Sequence, residues 1–306
     1  MDTFNFLVEE REQGLRLDKY LSEQMEEITR SFLQKLIKDG QVTVAGIVQK
    51  SNYKLRNGQN VEVIIPPAED AEILPEDIPL DILYEDEDLL VVNKPKNMVV
   101  HPSAGHYTGT LVNAVMFHCK DSLSGINGEI RPGIVHRIDK DTTGSLIVCK
   151  NDESHLQIAE QIKEHSVNRI YRGIVSGRLK ETEGTIEGDI GRHPTDRKKM
   201  AIVTRNAKPA ITHYRVLKQY NNAAYMEFKL ETGRTHQIRV HMASVGHPLL
   251  GDIVYGNPKN PYKLNGQTLH AMTIGFIHPR SGEYLEISAP LPEYFETLIK
   301  KFENMN

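Results

Sequence analysis

The densest set of groups able to do chemistry lies between Arg131 and Lys150, in RPGIVHRIDKDTTGSLIVCK. His136, Arg137, Asp139, Lys140, Asp141, Thr142 and Thr143 stand between a Pro132-Gly133 break and a short apolar run, Leu146-Ile147-Val148, that Gly144 opens. The run has strand length. Polar groups packed beside a buried strand are costly unless they are paired or used. Taken by itself the loop also reads as a solvated segment with one ion pair. A second cluster, Glu231 to His241, holds Arg234, His236, Arg239 and His241. On residue type alone, Arg234 and His236 could be phosphate contacts or internal hydrogen bonds. The spacing of His236, His241 and His247 places them on a strand and the turn beyond it, with no acidic helix motif to complete a coordination set, so no metal is expected. No glycine precedes a lysine, and neither G-x-G-x-x-G nor G-x-S-x-G occurs. Phosphate-cradling loops and serine-elbow hydrolases are thereby excluded, and no cofactor is implied.

The elements that must position these groups fit a chain of 306 residues, long enough for two domains. Hydrophobic content of 39 % and charged content of 25 % are ordinary for a globular protein. No apolar run approaches the ~20 residues of a membrane helix. The acidic start, MDTFNFLVEEREQG, has no basic-then-apolar pattern, so a cytoplasmic protein with no membrane partner is expected. Cys119 and Cys149 are too few for a disulfide framework or zinc knuckle and read as core residues. The net charge of −4 argues mildly against promiscuous nucleic-acid binding, but only local patches decide that question.

After a polar arm, residues 1–14, a first unit is expected over 15–66. It holds a helix around Arg16–Leu21 and a second helix capped by Ser31, with Gln34 completing a capping box. The apolar stripe of that second helix is Phe32, Leu33, Leu36 and Ile37, and Gly40 stops it. Arg30, Lys35 and Lys38 fall off the stripe. Two short strands follow, Gln41–Ala45 and Val61–Ile65, with Asn57-Gly58 as a turn. The proline-rich, acidic stretch 67–79 reads as a linker. From 80 to 306 a second unit is expected, with a strand at Leu89–Val92, helices at Leu111–His118, Glu153–His165 and Pro292–Phe302, and a strand at Arg169–Val175. Turns are expected at Gly184, Gly188, Gly191, Asn221-Asn222 and Ser281-Gly282. The fold class is α+β, on a mixed, largely antiparallel sheet with flanking helices. Arg192, Arg197, Lys198, Lys199, Arg205 and Lys208, opposed only by Asp196, form a basic patch that reads either as a grip on an RNA backbone or as a solvated loop.

H-R-I-D-K-D-T-T-G resembles the H-R-L-D-x-x-T-S-G signature of the large-subunit ribosomal RNA pseudouridine synthases of the RluA/RluD group. G-R-T-H-Q-I-R-V-H, at 233–241, resembles that family's third motif, and N-K-P…H-P…G-T-L-V-N-A its early layout. R-L-D-K-Y-L with R-S-x-x-Q-K-L-I-K-D-G-Q-V-T-V-A-G and L-R-N-G-Q-N-V-E-V resembles an S4-type RNA-binding module. Ile138, Thr143 and Ser145 depart mildly from the signature, and none removes a reacting group.

The resemblance implies an isomerase of uridine in RNA, acting on specific uridines of large-subunit ribosomal RNA, with the pseudouridine synthase fold behind an S4-type domain. It implies Asp139 as nucleophile, Arg239 as its ion-pair partner, Ile238 packing against the base, and Tyr171 as the active-site tyrosine that stacks on uracil and takes the ring proton. Arg137, His136, Arg234, His236 and Thr143 are expected at the substrate. Arg30, Lys35, Lys38, Arg192, Arg197, Lys198 and Lys199 are expected on the RNA backbone. RNA is the expected partner of a monomeric protein. The alternatives are the same chemistry on another structured RNA such as tRNA, a non-catalytic RNA-binding protein, and a carboxylate-based N-glycoside hydrolase that would release free uracil.

Overall fold

The computed structural model describes residues 2–25, 28, 30–65, 73–102, 106–120, 122–126, 128, 131–196 and 199–305, Ser31 by its backbone alone. The chain divides into two compact units, Met1–Glu72 and Ile73–Asn306. Residues 67–72 of the linker stretch, the Ser31 side chain, and Arg197 and Lys198 of the basic patch lie outside what is described. Residues 73–79, expected as linker, belong to the second unit, where Ile73 is buried in the core and Ile78 packs against it.

The first unit contains β1 (Asp2–Leu7), α1 (Leu17–Gln24), α2 (Arg30–Lys38), β2 (Val42–Val44), β3 (Ile47–Val48) and β4 (Asn60–Ile65). The four strands form one sheet in the order β1-β4-β2-β3. Residues 2–7, expected as a polar arm, are therefore an edge strand, held by β4 from Asp2↔Ile65 to Leu7↔Asn60. Their side chains are mostly exposed, with Phe6 alone packed against the core, so backbone pairing does most of the holding and no alternation of burial marks the strand. α2 starts at Arg30, which places Ser31 inside the helix rather than at its cap. Its Leu33, Leu36 and Ile37 pack with Leu17, Tyr20 and Leu21 of α1 and with Val42, Val61 and Val63 of the sheet. Asp18 is fully buried between the helices and accepts from Arg16, Arg30 and Gln34. Burial works against its charge, yet those three donors hold its pKa well below the ordinary carboxylate range.

The second unit is built on β5 (Ile82–Glu85), β6 (Leu89–Lys94), α3 (Leu111–Cys119), β7 (Thr143–Cys149), α4 (Asp152–Lys163), β8 (Asn168–Ser176) and β9 (Glu183–Glu187). There follow β10 (Ile190–Arg192), β11 (Met200–Ile202), β12 (Ala207–Lys208), β13 (Ile211–Gln219), β14 (Ala223–Leu230), α5 (Gln237–Ser244), β15 (Leu269–Ile277), β16 (Tyr284–Ser288) and α6 (Glu293–Glu303). The main sheet runs β5-β6-β7-β15-β8-β14-β13-β9, with β16 also on β15. Its pairings are antiparallel except β7 with β15, so the sheet is mixed as expected.

Alternation along the strands sorts side chains to two faces. Leu90, Val92, Leu146, Val148, Tyr171 and Val175 face a core shared with α3 and α5. Leu89, Val91, Ile147 and Cys149 face Ile158 of α4. Ile174 packs with Phe295, Leu298 and Phe302 of α6. Central strands β6 and β7 are buried on both faces, which is why they read as unbroken apolar runs.

Three expectations change here. Residues 237–244 are helical, not β, because Gln237, Ile238, Arg239, Val240, His241 and Met242 are all buried. A helix buried all round, with polar side chains held by specific partners, has no one-sided stripe to betray it. The basic patch is not a plain loop: Arg192 and Lys208 lie on β10 and β12 of a small sheet ordered β11-β10-β12. Gly184 and Gly191 lie within β9 and β10 rather than in turns. At Gly184 a Cβ would meet the Tyr214 hydroxyl at 2.7 Å and its ring at 2.8 Å, so the glycine serves packing rather than a turn.

Candidate active site

The loop carrying Asp139 is fixed at several points before it meets the sheet. Ile138 plugs the core. Thr142 donates its backbone N–H to the Asp139 carbonyl at 3.0 Å, and Gln267 donates to the Thr142 hydroxyl at 3.1 Å. The buried Lys94 ammonium spends its three donors on the carbonyls of Pro95, Met98 and Lys140, at 2.8, 2.8 and 3.0 Å. Burial lowers its pKa to about 7, against the pull of Asp141 and Asp139. Gly144, at φ +108°, then brings β7 so close to the backbone of Ala271 on β15 that no Cβ fits. That contact sets where the loop ends and the sheet begins.

Asp139 faces Arg239, whose Nη1 donates to Oδ2 at 2.9 Å. The far edge of the same guanidinium donates from Nε and Nη2 to the buried Asp252, at 2.7 and 3.1 Å. Asp252 also accepts the backbone N–H groups of Val254 and Tyr255. Burial opposes the Arg239 charge, but the bonds to Asp252 and the charge of Asp139 more than offset it and raise its pKa. Arg239 is therefore a clamp between two carboxylates, one buried and one at the cavity.

A cleft of about 510 Å³ opens on Asp139, lined among others by Arg137, Arg169, Tyr171, Arg234 and His236. Beside it a recess of about 50 Å³ is walled by Asp139, Tyr171, Leu230, Ile238, Arg239 and Leu269. Tyr171 is buried, and burial, with Asp139 nearby, raises its phenol pKa; Arg169 pulls the other way. His236 sits in the left-handed region at φ 58°, at the N-cap of α5. Its Nδ1 bonds the Tyr255 hydroxyl at 2.8 Å and its Nε2 lies 3.8 Å from Asp139. Burial lowers its pKa, with Asp139 opposing.

The expected residues divide. Asp139, Tyr171, Arg239, Ile238, Arg137, Arg234 and His236 come together at the cleft and its recess. Arg234 also donates from Nε to the Pro209 carbonyl at 2.9 Å. His136 borders the cleft, but its Nε2 accepts the Ile147 N–H at 2.9 Å, and burial pushes its pKa down to about 3, so it is a neutral strut of the loop. Thr143 does not line the cleft: it is buried, and its hydroxyl bonds His270 Nδ1 at 2.7 Å. In the first unit, Arg16, Gln34, Lys38, Lys50 and Tyr53 line a separate cleft of about 900 Å³. Arg30 is half-exposed and bound to Asp18, Lys35 is exposed off that cleft, and Lys199 lies 3.9 Å from Asp196. Asp252, Tyr255 and Arg169 were not found by sequence reasoning. Asp252 stands in an unpatterned loop, and only its buried pairing singles it out.

His270 carries a pH dependence. Its Nε2 faces the Ala289 carbonyl at 3.4 Å, which leaves Nδ1 to accept from Thr143. Burial lowers its pKa to about 4. In the unfolded chain histidine titrates near 6.5. Between about pH 6.5 and 4 the unfolded state therefore binds a proton the folded state refuses. The stabilisation is complete above that window and is lost as pH falls through it. Acidification from pH 7 to 5 should lower stability by on the order of 1–2 kcal/mol through this residue. Thermal melts at both pH values should show a shallower fall in His270→Asn than in the wild type; equal falls would contradict the assignment.

A carboxylate clamped by arginine, a buried phenol and a cleft rich in cations define an enzyme for an anionic substrate. The chain matches the RNA pseudouridylate synthase family over residues 88–244 and the S4 domain over residues 15–61. It is 50 % identical over 300 residues to YlyB of Bacillus subtilis, described as an uncharacterised RNA pseudouridine synthase, covering 98 % of each chain. It is 45 % identical over 310 residues to ribosomal large subunit pseudouridine synthase D of Zymomonas mobilis, again covering 98 % of each. Among solved structures, human RNA pseudouridylate synthase domain containing 1 superposes with a TM-score of 0.57 at 25 % identity, covering 78 % of this chain and 98 % of the other. The chain belongs to the RNA pseudouridine synthase family: it is an isomerase that converts uridine to pseudouridine in RNA, joined to an S4 domain. No helix among the described residues is long and apolar enough to cross a membrane.

Proposed function

We propose that this enzyme modifies specific uridines of large-subunit ribosomal RNA in the cytoplasm, as a monomer, with Asp139 as its nucleophile. The observation that carries the reading is the Arg239–Asp139 pair at 2.9 Å, set at the mouth of a recess that Tyr171 and Ile238 wall. The target base must leave its stack to reach that recess. Arg137, exposed on the cleft rim, fills the gap by stacking its guanidinium plane. Asp139 attacks as the glycosidic C–N bond breaks. The uracil turns over between Tyr171 and Ile238, and its ring carbon displaces the Asp139 carboxylate from the ribose. The proton on that carbon passes to the Tyr171 phenolate while the freed ring nitrogen takes a proton from water. Arg239, held from behind by Asp252, keeps Asp139 aimed. The basic strands β10 and β12 and the S4 unit hold the RNA backbone through phosphates. The large-subunit target is supported by the relatives named ribosomal large subunit pseudouridine synthase D.

Single turnover on a large-subunit transcript tritiated at the ring carbon tests the reading. Wild type should release tritium and form one pseudouridine per target with no free uracil. Tyr171→Phe should bind the RNA but turn it over about 10²-fold more slowly. Since burial raises the Tyr171 pKa, wild-type chemistry should speed up as pH rises and the variant should lose that rise. Free uracil as product would assign a hydrolase, and unchanged turnover in Tyr171→Phe would remove the phenol from the proton's path.

A further inference from the structure

Arg169 is a buried cation that the proposed chemistry does not use. It lies two residues before Tyr171 on β8, so both side chains emerge on the same face of the sheet, and it is only 7 % exposed. Its Nη2 donates to the Glu231 carbonyl at 3.0 Å, while its Nε is buried without a partner. Among the described residues no carboxylate forms an ion pair with it, and leaving a buried guanidinium uncompensated costs several kcal/mol. An anion must come from outside, and the opening for one is visible. Gly233 is exposed on the cleft wall, and a Cβ there would fall 2.6 Å from Arg169 Nη1. The missing side chain leaves the guanidinium edge facing the cleft. Around that edge the charges are one-sided: Arg137, Lys163, Arg169 and Arg234 line the cleft with one carboxylate, Asp139, which Arg239 already engages. Lys163 is bridged to Glu160 at 2.9 Å, which leaves Arg169 and Arg234 as the nearer pair.

We propose that Arg169, reached past Gly233 and assisted by Arg234, is the seat of a backbone phosphate flanking the target uridine. A phosphodiester supplies the missing counter-charge and takes two parallel N–H donors from a guanidinium edge. Filling the seat fixes the ribose of the flipped nucleotide from its phosphate side while Asp139 and Tyr171 act on the sugar and base. The inference rests on the reading that this cleft receives the target uridine.

The test pairs protein variants with RNA in which each phosphate around the target is replaced, one at a time, by an uncharged methylphosphonate. The RNA is a hairpin that the wild type converts to pseudouridine, and dissociation constants are measured along with turnover. For the wild type, one flanking position should weaken binding about 10- to 100-fold, the range of a charge-assisted hydrogen-bonded pair. Arg169→Met should lose a similar factor on natural RNA and nothing further on that methylphosphonate. Gly233→Ala, which keeps the charge but closes the opening, should behave in the same way, and Arg169→Lys should recover part of the loss. If the two losses multiply, or if no flanking phosphate matters, the seat is disproved and Arg169 acts on Tyr171 through its field alone. If no RNA is converted by the wild type, it is the reading of the site that fails.

Discussion

Asp139→Asn should abolish turnover, lowering the single-turnover rate at least about 10³-fold, or about 4 kcal/mol in the barrier, while leaving the protein folded and able to bind RNA. The amide keeps the size and hydrogen-bonding reach of the carboxylate but cannot attack carbon. The fold should survive because Arg239 does not depend on Asp139 alone: its Nε and Nη2 remain on Asp252. The partly exposed Asp139 contributes one further bond, worth on the order of 1 kcal/mol. A circular dichroism melt within a few degrees of wild type, with no detectable pseudouridine, is the expected result. Activity retained at a tenth of wild type or more would mean that Asp139 only orients the substrate.

Asp252→Ala should do the reverse, striking stability and catalysis together. It leaves a buried guanidinium with one partner in place of two and strips the acceptor from the Val254 and Tyr255 N–H groups. Removing one member of a buried pair costs about 3–5 kcal/mol. For a unit of this size that is a fall of about 10 °C in Tm. Turnover measured well below the melt should also drop, because Arg239 is no longer held from behind and Asp139 loses its fixed partner. Asp252→Asn keeps one acceptor and should fall between the two. A Tm within two degrees of wild type in Asp252→Ala would show that the clamp carries little of the site's rigidity.

The parts legible in the sequence are those in which local pattern and tertiary role agree. Leu89–Val92 and Leu146–Val148 are apolar runs because both faces of their strands are covered. Leu111 opens a helix after Thr110, whose hydroxyl accepts the Asn113 N–H. The stripe of α2 is one-sided because one side meets α1 and the sheet. The large-subunit synthase and S4 resemblances rested on motifs whose glycines and polar residues the structure accounts for, as at Gly144 and Asp18. What stayed hidden depends on partners far along the chain. α5 buries charged and apolar residues alike, so its period is erased. β1 is held mainly by backbone bonds to β4, which no side-chain pattern records. Asp252 and Arg169 differ from solvent-facing charges only in what surrounds them, and their neighbours Arg239, Glu231 and Gly233 come from other elements.

If Asp139 makes pseudouridine in large-subunit ribosomal RNA, its loss must show in that RNA. The most direct test is a nucleotide-resolution pseudouridine map of that RNA from cells lacking the protein, rescued by wild type or by Asp139→Asn at equal protein levels. Specific large-subunit sites should disappear without the protein, return with wild type and stay absent with Asp139→Asn. An unchanged map, or restoration of the sites by Asp139→Asn, would contradict the account.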